Sequence, residues 1–568
     1  MPTYKAPVDD YIFLMNKVLK IDTDLAEPIL QEAAKLCEEV IAPTNQAGDS
    51  GCHHHYHAAT ETQAEINTVH VPEEFHEPWK KFKEGGWLGL SVPEQYGGQG
   101  LPYTLASAVN EFVSSANMAF SLCPGLTRGA IQALLSVASD PHKQHFIPPM
   151  ARGEWTGTMN LTEPHCGTDL GLLKTKAVDK HNGSYEITGQ KIFISCGEHD
   201  LADNIIHLVL ARVEGDPEGV KGISMFAVPK VLADFSRNKV SCGSIEHKMG
   251  IHGSPTCVMN YDGATGYLIG ERCKGLNAMF IMMNEARLGV AVQGLSQSEL
   301  AYQNAVTYAK ERIQGPKLTN PAGGSVAIIN HPDVRRMLLD IKSNLIPSRL
   351  LVIKAGVLCD DPSEEAQDIL GLMTPILKGV LTDYGFENAV KAQQVFGGHG
   401  YIHEWGMEQI VRDARIAQIY EGANGIQALD LVARKLPKNM GRAVRTQFKL
   451  FEEQLERDLK TENVNKWAYS VDRAFNDLKK ATNWLVQNGL KDPNNAGSAS
   501  YDYMKLFGLV YMGFAWLDII KAKKEENEYE DMPVADYFMN KVLPETNLLW
   551  HKIEAGSKCV MELPVDKF

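Results

Sequence analysis

The sequence lacks several features that would assign a class directly. Its ten cysteines are scattered and none forms a C-x-x-C pair. A disulfide framework is therefore not expected, and reduced thiols in a cytosolic compartment fit better. Positive charge is short: 56 Lys+Arg stand against 70 Asp+Glu, a net charge of -14. That balance argues against a nucleic-acid-binding surface. The opening residues, MPTYKAPVDDYIF, carry no basic stretch followed by an apolar one, and no Arg-rich amphipathic helix. Neither a signal peptide nor a transit peptide is expected, and the cytoplasm is the expected location. The longest apolar run near the C-terminus, Leu506 to Leu517, is too short to span a bilayer and is closed by Asp518. It is expected to be a buried helix. There is no internal repeat and no G-x-G-x-x-G after a strand. The single low-complexity stretch, Cys52, His53, His54, His55 and His57, has no second ligand group at finger spacing. It reads as a solvated loop, and no resident metal is expected.

At 568 residues the chain is too long for one core. Its pattern changes three times. Residues 1 to 154 read as helical, with helices over Leu25–Ile41, Glu73–Phe82 and Leu105–Leu122. From 155 to 272 short period-2 runs take over: Tyr185–Ile194, Ile205–Ala211, Ile223–Val228 and Thr256–Tyr261. Gly, Asn, Asp and Pro separate them, as in a small barrel or sandwich. From 273 to 436 long helical runs return: Leu276–Arg312, Asp333–Leu358 with a kink expected at Pro347, Thr374–Phe396 and Gly425–Leu436. Antiparallel succession of such helices suggests a bundle. Leu436-Pro437-Lys438-Asn439 reads as a linker. A further helical segment, 437 to 568, is interrupted at Asp492–Ser500. The fold class is thus α+β and mostly α.

Five stretches carry chemistry. In Ile410–Gln427, Glu421 stands between Tyr420 and Gly422. A carboxylate there could act as a base, with Gly422 and Gly425 admitting a flat ligand close to the backbone. In Asn160–Asp169, Thr162, Gly167 and Thr168 place two hydroxyls and a bare backbone within one turn, which suits a phosphate or a heterocycle edge. In Gly189–Gly197, alternation puts Phe193 and Ser195 on one face of a strand, an aromatic and a hydroxyl for a flat ring. In Ala392–Tyr401, Gly397, Gly398 and Gly400 allow close approach and Gln394 can hydrogen-bond. Arg312 ends a long helix and is a candidate pyrophosphate partner. Each stretch alone has an ordinary structural explanation: a turn, a core strand, a helix cap, a surface arginine.

Their order along the chain narrows the reading. L-T-E-P-x-x-G-T-D, K-x-F-I-S, an Arg-ended helix, Q-V-F-G-G-H-G-Y and R-D-A-R-I-x-Q-I-Y-E-G together resemble the acyl-CoA dehydrogenase flavoprotein family, from about residue 30 to 436. The resemblance implies a helical N-terminal domain, a central β-barrel and a C-terminal four-helix bundle, with an extra C-terminal helical domain. It implies FAD between barrel and bundle, reaching a neighbouring subunit, and so a homodimer or homotetramer. It implies that Glu421 takes the α-proton of an acyl-CoA while the β-hydrogen leaves as hydride to the flavin. Leu161, Thr162, Gly167, Thr168, Phe193, Ser195, Ala423 and Gly425 match flavin-contacting positions. Arg312, Gln394, Phe396, Gly397 and Gly398 match contacts to the FAD pyrophosphate and adenosine. Thr168, Arg287 and Gly422 match substrate contacts. Electrons would pass to an electron-transfer flavoprotein. The insertion near Gly315–Asn330, the N-terminal YKAPVDDYIFLMNKVL, EPHCGTDLGLLKTKA and the added C-terminal domain resemble the longer bacterial subgroup, which implies a fatty acyl-CoA or 3-methylmercaptopropionyl-CoA as substrate. The alternatives are an acyl-CoA oxidase and a non-catalytic assembly protein that keeps the fold. The sequence departs from the family pattern at Phe193, where many relatives carry Trp. It departs also at Ile313-Gln314-Gly315 after Arg312 and at Pro332.

Overall fold

The computed structural model describes residues 2–57 and 66–568. The chain forms two compact units: Lys35–Pro102 with Ala116–Gly289, and Met1–Ala34 with Tyr103–Ser115 and Val290–Phe568.

The first unit is built on a seven-stranded sheet: β3 (Trp155–Asn160), β4 (Lys176–Asp179), β5 (Tyr185–Ser195), β6 (Asn204–Val213), β7 (Ile223–Pro229), β8 (Val240–Ile245) and β9 (Thr256–Ile269). The pairings run in a closed circuit, β6 to β4 to β5 to β9 to β7 and back to β6. This ring fits the expected barrel. β3 and β8 extend it, pairing with β6 and β9. Period-2 alternation explains how β6 can be buried on both faces. Ile206, Leu208 and Leu210 join Ile131 and Leu134 of the helix Met118–Val137 and Phe146 and Met150 of the helix Asp140–Ala151. The intervening Val209, Ala211 and Val213 join Ile187, Phe226 and Tyr261 in a second cluster.

Two expectations for the N-terminal region need correction. The His stretch is not a loop: His53–His57 is a strand, β1, paired antiparallel with Ile66–His70, β2. A run of histidines has no hydrophobic alternation, so nothing local announced a strand. Cys52 beside it is half-buried, and burial pushes its thiol up to about 12. The helix expected over Leu105–Leu122 is two helices, Tyr103–Ala116 and Met118–Val137. Asn117 separates them, extended at ψ 104, its side-chain oxygen accepting from the Phe120 amide at 3.0 Å. That is an N-cap inside an apolar run, and the competing cap ends the first helix.

The second unit is helical. Its hub is Glu364–Phe396, begun ten residues earlier than expected at the N-cap Ser363. It packs against Pro332–Asp360, Met407–Arg415, Asn424–Asp430, Arg442–Asp458 and Pro493–Glu525. Pro332–Asp360 runs uninterrupted past Pro347. Proline offers no amide to the Ser343 carbonyl, and the buried Trp516 indole N–H donates to that oxygen instead, at 2.9 Å. Satisfying the orphaned acceptor removes one cause of a break. The interruption expected at Asp492–Ser500 is a helix start: Asp492 caps Pro493–Glu525 by accepting from the Asn494 amide at 2.9 Å. The apolar run inside it belongs to a helix long and apolar enough to cross a membrane, but 89% of its most apolar window is buried in the fold.

Candidate active site

The loop bearing Glu421 lies between the turn Ile416–Gln418 and the helix Asn424–Asp430. Glu421 has φ 55 and Gly422 φ 86, two left-handed residues in succession. Glycine adopts this at no cost, whereas a residue with a Cβ loses about 1–2 kcal/mol. The conformation is held by side chains that grip the backbone. Lys378, buried in the hub helix, donates from Nζ to the Gly422 carbonyl and to Asn424 Oδ1, each at 2.8 Å. Gln427 Nε2 donates to the Glu421 carbonyl at 3.1 Å and to that of Gly422 at 3.3 Å. Asn424 Nδ2 donates to Thr382 Oγ1 at 2.9 Å and to Asp383 Oδ1 at 2.8 Å. Before the acid, the Tyr420 hydroxyl donates to Gln293 Oε1. Burial and the neighbouring Glu421 carboxylate both push the Tyr420 phenol well above its ordinary range, so it remains a donor. Glu421 itself is half-buried. Ala423, extended at ψ 151, opens the next helix, and a methyl at Gly425 would meet open space.

In the same unit, aromatic packing ties the helix end bearing Arg312 to the glycine turn. Arg312 follows Tyr308 by one turn, its amide donating to the Tyr308 carbonyl at 2.8 Å. Tyr308 stacks on Phe396 with centroids 4.1 Å apart, and its hydroxyl bonds His399 Nδ1 at 2.7 Å. Phe396 is thus buried against Tyr308, whereas Arg312, Gln394, Gly397 and Gly398 are exposed. Gly397 has φ 58 and ψ -136, a conformation for glycine, and a Cβ at Gly397 or Gly398 would touch nothing.

In the β unit, the loop Leu161–Thr168 and strand β5 are stitched together. The Ile192 amide donates to the Thr162 carbonyl at 2.9 Å, and Lys191 Nζ donates to the Leu161 carbonyl at 3.0 Å and to Glu163 Oε1 at 2.8 Å. Glu163 also accepts from the Lys174 and Thr175 amides and the Thr175 hydroxyl. Burial raises the Glu163 carboxyl, but Lys191 and these donors outweigh it and leave it below its ordinary range. Burial dominates at Lys191 and lowers the ammonium despite Glu163. A pair of backbone bonds between Glu163 and Cys166 folds the loop tightly, leaving Gly167 beside Thr162, with Gly167 and Thr168 exposed.

The alternation expected for Phe193 and Ser195 does not hold. The β5–β9 register shifts between Lys191 and Ile194, and Phe193 sits in that bulge at φ 59, its side chain 59% exposed. A bulge adds an unpaired residue and re-aims its side chain, which period-2 counting cannot foresee. The Ser195 carbonyl accepts from the Thr158 hydroxyl at 2.7 Å. Arg287 is buried, with Nη1 3.3 Å from Asn284 Oδ1.

The structure therefore brings together Leu161, Thr162, Gly167, Thr168, Phe193 and Ser195 in one unit. In the other it gathers Glu421, Gly422, Ala423 and Gly425 in one loop, and Arg312 with Gln394–Gly398 around Tyr308. Sequence reasoning missed the residues that hold these pieces: Lys191 and Glu163, and Lys378, Asn424, Gln427, Asp383 and Gln293. One signal was available. Lys378 is a lone cation in the apolar run Thr374–Leu381, and an unaccompanied buried ammonium needs acceptors.

In the β unit, an exposed aromatic on a bulge beside clustered hydroxyls suits a flat heterocycle. In the helical unit, bare glycine backbone with free space above it and an exposed guanidinium suit a pyrophosphate. Each set, taken by itself, fits its part of FAD. Four family models match in order: the acyl-CoA dehydrogenase N-terminal domain over 23–154, middle domain over 158–264 and C-terminal domain over 274–436, then an acetyl-CoA dehydrogenase C-terminal-like model over 448–564. The chain is 39% identical to the 3-methylmercaptopropionyl-CoA dehydrogenase of Ruegeria pomeroyi, over 96% of each chain. In fold it resembles Caenorhabditis elegans ACDH-11 in complex with C11-CoA, with a TM-score of 0.84, 19% identity and coverage of 99% of this chain and 96% of that one. It also resembles the acyl-CoA dehydrogenase of Bacillus anthracis complexed with FAD, with a TM-score of 0.75, 21% identity and coverage of 99% and 93%. This chain belongs to the acyl-CoA dehydrogenase family.

Proposed function

We propose that the chain oxidises an acyl-CoA thioester to the trans-2-enoyl-CoA with Glu421 as the base. One observation carries the assignment: a half-buried carboxylate on a left-handed residue whose backbone is gripped by Lys378 and Gln427. A base for a carbon-bound proton must be held at a set distance and shielded from bulk water, and strain at one residue is tolerated where function requires it. Bound FAD would supply the acceptor for the β-hydrogen, which leaves with its electron pair. Glu421 takes the α-proton, and the Glu421 amide donates to the thioester carbonyl, stabilising the negative charge that develops there. Leu161, Thr162, Gly167, Thr168, Phe193, Ser195, Ala423 and Gly425 would hold the flavin. Arg312 and Gln394–Gly398 would hold its pyrophosphate and adenosine, and Thr168, Arg287 and Gly422 the substrate.

The full-length likeness to the Ruegeria pomeroyi enzyme supports 3-methylmercaptopropionyl-CoA as a candidate substrate beside fatty acyl-CoAs. An electron-transfer flavoprotein would take the electrons from a homodimeric or homotetrameric enzyme in the cytoplasm. The test is anaerobic titration of the purified flavoprotein with octanoyl-CoA, palmitoyl-CoA and 3-methylmercaptopropionyl-CoA. Bleaching of the flavin absorbance by one of them is expected. Bound flavin that no acyl-CoA reduces would overturn the reading.

A further inference from the structure

The C-terminal segment, matched by its own family model over 448–564, meets the hub helix at the turn that bears Lys378. Two glycines mark how close the approach is. A methyl group at Gly379 would overlap the Met504 side chain, and one at Gly508 would stand 2.7 Å from Val380 Cγ2. At this contact Tyr501, in the first half of Pro493–Glu525, donates its hydroxyl to Asp383 Oδ2 at 2.6 Å. The other Asp383 oxygen accepts from Asn424 Nδ2 at 2.8 Å and from Gln418 Nε2 at 2.7 Å. Gln418 and Asn424 flank the Glu421 loop, one on each side. Asn424 in turn accepts from Lys378, which grips the Gly422 carbonyl. Burial and the Asp383 carboxylate raise the Tyr501 phenol, keeping it a donor.

We propose that the C-terminal helical segment is part of the active site: Tyr501, through Asp383 and Asn424, and Lys378 directly, are positioning residues that set the geometry of the Glu421 loop. The proposal rests on reading Glu421 as the base. Its physical content is that a loop of two left-handed residues has no regular hydrogen bonding of its own. Its carbonyls are aimed by the donors that reach them, and those donors are fixed by a chain of bonds ending in the C-terminal helix. Charge-assisted bonds to a carboxylate are the strong kind, which suits Asp383 as the junction of three donors.

The experiment compares full-length holoenzymes carrying Glu421→Gln, Lys378→Met, Lys378→Arg and Tyr501→Phe. The readouts are the anaerobic rate of flavin reduction at saturating acyl-CoA, the substrate dissociation constant and the isotope effect with α-deuterated substrate. A misplacement of the base by ~1 Å costs about 100-fold, so Lys378→Met is expected to slow reduction by about that factor. The dissociation constant should change little and the isotope effect should grow. A merely structural role would move neither the isotope effect nor the rate at saturation in protein that remains folded and loaded. Lys378→Arg, which keeps a cation and donors, should recover part of the rate. Tyr501→Phe removes one charge-assisted bond and should cost about tenfold. Should Lys378→Met fail to fold, Tyr501→Phe decides, since it deletes one oxygen from a partly exposed ring. If Glu421→Gln is inactive while Tyr501→Phe and every folded Lys378 variant reduce flavin at the parent rate, the positioning role is overturned and the base stands. If Glu421→Gln turns over normally, the base assignment falls, and this proposal with it.

Discussion

Two buried lysines, each behind a left-handed residue that is not glycine, are used in different ways. Lys191 lies two residues before Phe193, and its ammonium meets a carboxylate, Glu163, that gathers three further donors. Lys378 lies 44 residues before Gly422, and its ammonium bonds a backbone carbonyl and the Asn424 amide oxygen, with Asp383 one hydrogen bond beyond Asn424. The first is an ion pair that, with a further bond to the Leu161 carbonyl, pins a loop to a strand, while Phe193 is held by the paired residues on either side of its bulge. The second grips the loop backbone itself. An ion pair stores its energy in a buried charge that must not be left alone, so it serves stability. A cation on carbonyls aims a backbone, so it serves geometry.

The sharpest break of this comparison is at Glu421, the proposed base. Glu421→Gln should keep FAD and lose about 10³-fold or more in the rate of flavin reduction, measured by stopped-flow bleaching, because the proton acceptor is gone. Next in size is Lys191→Met. It leaves the buried Glu163 without its cation, held only by the Lys174 and Thr175 donors, and a cost of about 3–5 kcal/mol in denaturant unfolding is expected. The double variant with Glu163→Gln should regain much of that loss. Lys378→Met, which strands neutral acceptors, should cost less, about 1–3 kcal/mol, while losing more activity. An equal stability loss for the two lysines would erase the distinction.

The ion pair also has a pH signature. The Glu163 carboxyl is held below its ordinary range by Lys191, Thr175 and Lys174, against burial. The stability it contributes is therefore present above the unfolded carboxyl value, about pH 4.3, and is lost as pH falls through the lower folded value. Denaturation midpoints between pH 7 and pH 3 should decline more steeply for the parent chain than for Glu163→Gln. The smallest effect is expected at Phe193→Trp. Both rings stack, so flavin content should persist and stacking should change by about 1 kcal/mol at most, read from the FAD dissociation constant.

Much of the architecture was legible because it is periodic. β6 alternates its side chains between two clusters, and the long helical runs recur at helical spacing, so element type could be read locally. The errors fall where a local device competes with the period. Asn117 caps a helix within an apolar run, Asp492 starts one within a polar stretch, and the bulge at Phe193 breaks the alternation. At Pro347 the local rule pointed to a break. The partner that lets the helix continue, Trp516, lies 173 residues from the carbonyl it satisfies.

The candidate site divides along the same line. Glycines around an acid, hydroxyls in a turn and an arginine at a helix end are local signals, and their order along the chain identified the family. What holds them is not local. The Lys378–Gly422 bond spans 44 residues and the Tyr501–Asp383 bond 118. The sequence by itself determined the kinds of elements, the chemistry available at Glu421 and the family to which the chain belongs, because each is written in spacing over a few residues. Only the tertiary structure decided which buried polar groups meet and that the C-terminal helix is linked through Asp383 to the residues flanking Glu421. A hydrogen bond between distant residues leaves no trace in either neighbourhood; it exists only once packing has brought a donor to an acceptor and removed the water that would otherwise satisfy both.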